Sequence, residues 1–291
     1  MEPLPLEEVF ALNSIRVRFV RGEEVKFISH LDLMKVFDRA IRRAGIPIVY
    51  SEGFNPHPHM VFGLPLSVGV TSQAEYADFD LEDGFSSDEF MKKLNSSLPP
   101  GFKVMEAKII SKKSNIMASI NAASYSILFA VAENMDDEAL AQKLAEFMQE
   151  DAIVAEKEGK KGKKAIDIKP MIIRLELKKP GDEREGCRNA NKDSKSACSD
   201  MKYMDPDVWL EEYVESLYRA DVLPPSYERE SIRRIDALLS AGSMANLKPE
   251  LLIETFGRYI GQELKIVKIH RTGLFVEKEG KLLEPLDGNA L

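Results

Sequence analysis

From Ser14 to Val20 the chain alternates, with Ile15, Val17 and Phe19 apolar and Arg16 and Arg18 between them. Period-two alternation predicts a strand with one buried face. Val25 to Ile28 continues it after a turn at Gly22. Ser29-His30-Leu31-Asp32 then reads as a helix start, with Ser29 as N-cap and Asp32 near the positive end of the helix dipole. Met34, Phe37, Ala40, Ile41 and Ala44 recur at helical spacing, and Gly45 followed by Pro47 is the stop. A short strand over Ile46 to Tyr50 follows, and Ser51 to Pro58 is a loop rich in Gly, Asn and Pro. Met60 to Val70 is apolar but broken by Gly63, Pro65 and Gly69, and Glu75 to Leu81 alternates again. A helix capped by Ser86 or Ser87 runs through Leu98 to Pro99-Pro100-Gly101, and Phe102 to Ile110 closes the half. Strand, helix, strand, strand, helix, strand is the ferredoxin-like order.

The second half begins the same pattern. Tyr125 to Ala132 reads as a strand, Asp136 to Glu150 as a helix, Ala152 to Glu156 as a strand, and Glu156 to Lys164 as a Lys/Gly-rich hairpin or loop. Met171 to Leu177 has strand character, whereas apolar periodicity is lost from Lys179 to Asp200. Asp207 to Tyr218 looks helical, and Ile232 to Leu239 is a strand. Pro249 opens a helix to Tyr259, Leu264 to Ile269 closes the unit, and Leu274 to Lys278 adds an edge hairpin. The expected architecture is α+β: two ferredoxin-like (βαββαβ) halves, the second with a large insertion. Its boundaries are an N-terminal tail at 1–13, a first half at 14–112, a linker at 113–123, a second half at 124–278 with a polar insertion around 179–230, and a C-terminal tail at 279–291.

Composition narrows the function classes. Hydrophobic residues make up 44% of the 291 positions, enough for a sizeable core. The net charge is −8, so any contact with RNA has to come from a local basic patch. The acidic, proline-broken start and the lack of a long apolar run point to a cytoplasmic protein without a membrane span. Cys187 and Cys198 are read as ordinary reduced thiols, since two cysteines cannot alone hold a four-cysteine metal site. Neither a metal site nor a cofactor is expected.

Candidate chemistry concentrates in the first half. Lys35, Arg39, Arg42 and Arg43 fall on the polar side of the first helix; with Arg16 and Arg18 on the neighbouring strand they form the best candidate phosphate-binding patch. His30 sits at a helix start, where the dipole favours anions. His57 and His59 lie in Gly53-Phe54-Asn55-Pro56-His57-Pro58-His59, a loop stiffened by alternating prolines. Topology suggests that the loop packs beside the start of the first helix, so that His30, Asn55 and His57 face one cleft with Arg39 or Arg42 at its rim. In the second half, Ser243, Asn246 and Lys248 lie in a strand-to-helix turn that could cradle a phosphate, though it lacks the P-loop ending. A solvated face for the stripe and a tight turn for the second loop stand beside these readings.

Several segments carry a family resemblance. They are Phe27-Ile28-Ser29-His30-Leu31-Asp32-Leu33-Met34, Arg42-Arg43-Ala44-Gly45-Ile46-Pro47, Tyr50 through Pro58, Phe62 through Val70, Gly242-Ser243, Asn246-Leu247-Lys248-Pro249-Glu250 and His270-Arg271-Thr272. Together they resemble the radical-SAM-linked family, a domain of unknown function found fused to or beside cobalamin-binding radical SAM proteins. The chain has no Cys-x-x-x-Cys-x-x-Cys, so it is not itself the cluster-bearing enzyme. The resemblance implies a radical SAM protein encoded nearby as partner, and structured RNA or the ribosome as a second one. The resulting expectation is a non-catalytic accessory in RNA modification or processing. Two alternatives stay open. One is a metal-independent endoribonuclease, similar at fold level to CRISPR repeat-associated RNA-processing enzymes, with His30 or His57 as general base and Lys35 or Arg39 on the phosphate. The other is a protein-interaction module with an apolar patch at Phe54, Met60, Phe62 and Leu64.

Overall fold

A computed structural model describes residues 13–82, 85–110, 115–131, 135–159, 162–178, 213, 231–288 and 290. Both cysteines lie outside the described residues, and so do the expected insertion and the expected helix Asp207 to Tyr218, apart from Tyr213. The chain divides into two units. The first comprises Met1–Val68, Ala74–Ile120 and Val276–Leu291; the second comprises Gly69–Gln73 and Asn121–Phe275. Both are mixed α+β with mostly antiparallel pairing.

The first unit contains β1 (Asn13–Arg21), α1 (His30–Ala44), β2 (Met60–Phe62), most of β3 (Thr71–Leu81), α2 (Ser87–Ser97), β4 (Phe102–Ile110) and the single turn α3 (Ile116–Ser119). Its strands neighbour one another in the order β4-β1-β3, with β2 added on β3. The alternation of β1 sends Ile15, Val17 and Phe19 into a core with Phe37 and Ile41 of α1, Phe62 of β2, Phe79 of β3, Phe90 of α2 and Phe102 of β4. Phe37 is its centre, 5.0 Å from Phe19 and 5.2 Å from Phe62 between ring centroids. Burying one such ring contributes roughly 2–3 kcal/mol. The expected strand Ile46 to Tyr50 forms only the isolated bridges Ile48–Leu81 and Tyr50–Pro58.

The same alternation puts Arg16 and Arg18 on the face of the sheet away from α1, and this corrects the expected patch. Arg16 is 1% exposed. Its guanidinium donates to both oxygens of Asp78 (2.7 and 2.8 Å) and to the Pro285 carbonyl (3.2 Å). Burial pushes the Asp78 carboxyl up, against the opposing pull of Arg16. Arg18 is half-buried with Nε 3.7 Å from Glu106. Lys108 donates to the Leu286 carbonyl (2.9 Å), so Pro285 and Leu286 cover this face.

The second unit contains most of β5 (Ile120–Val131), α4 (Asp137–Gln149), β6 (Val154–Gly159), β7 (Gly162–Asp167), β8 (Ile172–Lys178), β9 (Ile232–Ser240), α5 (Pro249–Ile260) and most of β10 (Leu264–Lys278). The neighbour order is β10-β5-β9-β8. The run Ala152 to Glu156, expected as a sheet strand, instead enters β6 and pairs with β7 in a separate two-stranded ribbon, Lys157 opposite Lys164. β8 takes the sheet position beside β9, with Leu175 opposite Ala237. Phe147 of α4 meets Phe256 of α5 at 5.2 Å. Beyond the second unit, Val276 of β10 pairs with Leu283 of β11 (Lys281–Leu283). Among the described residues no helix is long and apolar enough to cross a membrane.

Candidate nucleic-acid interface

The turn before α1 is fixed from within. The buried Arg21 guanidinium donates to the carbonyls of Val25 and Ile28. Ser29 Oγ then accepts from the Asp32 amide (3.2 Å), and the Ser29 hydroxyl donates to the Asp32 carboxylate (2.7 Å). That bond, followed by Lys35 at 3.2 Å, lowers the Asp32 pKa. Gly45 closes the helix in the left-handed region at φ 61°. The polar side of α1 presents Lys35, Arg39, Arg42 and Arg43, all exposed. Arg42 pairs with Asp38 (2.8 Å), which holds its pKa above the usual value, and its guanidinium lies 5.5 Å over the Tyr50 ring. Arg43 donates to the Ser97 carbonyl (2.7 Å). Arg39 has no ion-pair partner among the described residues.

Tyr50 is the root of the Ser51 to Pro58 loop, which is held shut at its base. The Ser51 amide donates to the His57 carbonyl (2.8 Å), and the His57 amide donates to Ser51 Oγ (2.9 Å). The His59 amide donates to the Val49 carbonyl (2.7 Å), and His59 Nδ1 lies 3.5 Å from Asp80. Gly53 sits at φ 118°, a conformation a side chain would strain. Asn55 and His57 are exposed, their side-chain nitrogens 3.4 Å apart. Phe54 is fully exposed at 112%.

This geometry corrects the expected single cleft. His30 opens α1 and meets Phe62 edge-on, with centroids 6.1 Å apart. The loop root lies against Arg42 in the last turn of α1. A 15-residue helix is about 22 Å long, so His30 and the His57 loop stand at opposite ends of it. The reason is local. Val49 bonds to Asp80, the chain leaves the sheet at Tyr50, and His59 rejoins it at Asp80, so the segment Ile46 to Tyr50 makes no progress back along α1. The return is made by β2, which brings Phe62 to His30. The expected apolar patch is also divided, because Phe62 is buried in the core while Phe54 stands in solvent.

In the second unit, Ser243, Asn246 and Lys248 are all exposed in the turn between β9 and α5, and Met244 beside them is 96% exposed. The sequence reading gave no role to the polar face of β10. His270 is buried with Nδ1 2.8 Å from Thr71 Oγ1 and Nε2 3.2 Å from Gln73 Oε1. The Gln73 amide nitrogen donates to the Thr272 carbonyl (3.4 Å), which turns its oxygen toward the ring. The neutral ring therefore carries its proton on Nε2, and the Thr71 hydroxyl donates to Nδ1. Burial, then the charges of Lys268 and Arg234, push the pKa down to about 3. Arg234 pairs with Asp236 (2.8 Å), which accepts from the Ser126 hydroxyl (2.7 Å), and Lys268 lies 4.8 Å over the Tyr213 ring. The available signal was polar residues at alternate strand positions: Lys268 with His270, Arg234 with Asp236 and Ser124 with Ser126.

No curated protein matches the chain. Among solved structures, the chain is similar over 95% of its length to the crystal structure of a Cbf5-Nop10-Gar1 complex, at 11% identity and a TM-score of 0.44, covering 53% of that chain. It is similar over 95% of its length to the archaeal box H/ACA sRNP Nop10-Cbf5 complex, at 10% identity and a TM-score of 0.39, covering 52% of that chain. It thus spans about half the length of these structures' chains. A family model matches residues 14–204, well over half of the sequence, and the chain belongs to that family, described as an uncharacterized protein conserved in bacteria (DUF2344).

Proposed function

We propose that the chain is an RNA-binding accessory protein acting in the cytoplasm beside a radical SAM protein, without catalysing a reaction itself. The observation that carries the RNA limb is the outward row of Lys35, Arg39, Arg42 and Arg43, which leads to Tyr50 and the exposed loop in a chain of net charge −8. Phosphates are drawn to such a row, while aromatic and amide side chains beside it meet bases. Ser243, Asn246 and Lys248 are proposed as a separate phosphate contact. The neighbour orders β4-β1-β3-β2 and β10-β5-β9-β8 support reading both units as ferredoxin-like. The radical SAM limb rests on the family resemblance alone.

His30 and His57 lie at opposite ends of α1 and do not serve one phosphate together, which removes the two-histidine form of the endoribonuclease reading. Anaerobic affinity capture combined with RNA crosslinking tests both limbs. We expect crosslinks to peptides containing Arg39 or Phe54, and co-recovery of a radical SAM protein. Recovery of neither RNA nor that partner refutes the proposal.

A further inference from the structure

Resting on the RNA reading above, we propose that the Ser51 to Pro58 loop makes the site selective for unpaired RNA, with Phe54 as a stacking platform for a splayed base. Three observations carry this. First, Phe54 is held wholly in solvent by a loop that is closed at its base and carries Pro56 and Pro58. A large apolar ring left in water forgoes burial within its own chain. Because the loop is closed at its base and carries two prolines, ordering it on a ligand costs less entropy than for an open loop.

Second, the ring's surroundings do not suit a protein partner. Of its chain neighbours Glu52, Gly53, Asn55 and His57 are exposed and non-apolar, the exposed apolar companions are only Pro56 and, at the loop root, Tyr50, and Phe62 lies in the core. Protein docking favours a contiguous apolar patch, whereas base stacking needs one π-face with cations and amides nearby. Third, those companions are present. Tyr50 lies under the Arg42 guanidinium, Asn55 and His57 offer base-edge and 2′-hydroxyl contacts, and Arg39 and Arg43 lie on the same helix for the phosphates. A duplex presents its phosphates but hides its base faces, so it can use the helix and not the ring.

The test is fluorescence anisotropy with two probes, a labelled single-stranded adenosine oligomer and a blunt RNA duplex of the same length. The wild-type protein is expected to prefer the single strand by about tenfold, the value of one base stack. Phe54→Ala is expected to remove that preference, to leave duplex affinity unchanged, and to melt like wild type because the ring packs on nothing. Phe54→Trp should restore the preference and Phe54→Leu should not. Arg39→Ala with Arg43→Ala should weaken both probes and flatten the salt dependence. Equal affinity for the two probes overturns the inference. So does a Phe54→Ala protein with full single-strand affinity, which would assign the ring to a protein contact. If neither probe binds, the RNA reading itself fails.

Discussion

Acid should destabilise the second unit through His270. In the unfolded chain its imidazole takes up a proton near pH 6.5, whereas the folded site keeps it neutral down to about pH 3. Between these values the unfolded state binds the extra proton, so this stability is fully present above pH 6.5 and falls as the pH drops toward 3. The loss is about 1.4 kcal/mol for each pH unit, or about 2 kcal/mol at pH 5. That is a sizeable share of a typical total of about 5–15 kcal/mol. His270→Gln removes the titration but also disturbs the bonds to Thr71 and Gln73, so the variant should be less stable than wild type by about 1–3 kcal/mol at neutral pH. The gap should then narrow on acidification, because only the wild-type protein carries the histidine penalty. Urea unfolding between about pH 7 and 5, with hydrogen exchange of the β10 amides to localise the effect, measures it. A gap that stays constant over this range would show that His270 takes up its proton equally in both states, refuting the buried neutral assignment.

Arg16→Ala should cost about 3–5 kcal/mol by stranding the buried Asp78 carboxylate, and Arg16→Met with Asp78→Leu should recover much of it in urea unfolding. Arg39→Ala should shift stability by under about 0.5 kcal/mol, and a larger loss in thermal unfolding would mean that the exposed side chain is structural. Gly45→Ala should cost about 1 kcal/mol, since the cap sits at φ 61°; an unchanged midpoint would show that the helix end relaxes.

Much of the first unit was legible because its signals are local. Ser29 and Gly45 bound α1 as the sequence reading expects, and the alternation of β1 points Ile15, Val17 and Phe19 into the core. That alternation also sends Arg16 and Arg18 to the face away from α1, so a strand that neighbours the helix does not add its polar side chains to the helix stripe. The β6–β7 ribbon was harder to place, because a period-two pattern reads the same in a sheet strand and in a hairpin arm; only the partner tells them apart. The His270 cluster was least legible. Its ring is bonded by Thr71 and Gln73, almost two hundred positions away, and no local pattern encodes that pairing.

The carbonyls of Pro285 and Leu286 that receive Arg16 and Lys108 also bear on how the chain is made. β1 and β4 are made well before this segment, and their polar face is completed only after roughly another 175 residues have been added. At about 5–20 residues per second this is an interval of roughly ten to thirty seconds. Throughout it the nascent sheet holds the Arg16–Asp78 pair without its cover, as a half-wetted surface open to chaperones and to premature pairing. Synthesis of the Pro285–Leu286 segment, rather than of β4, is then the step that commits the first unit to its final form.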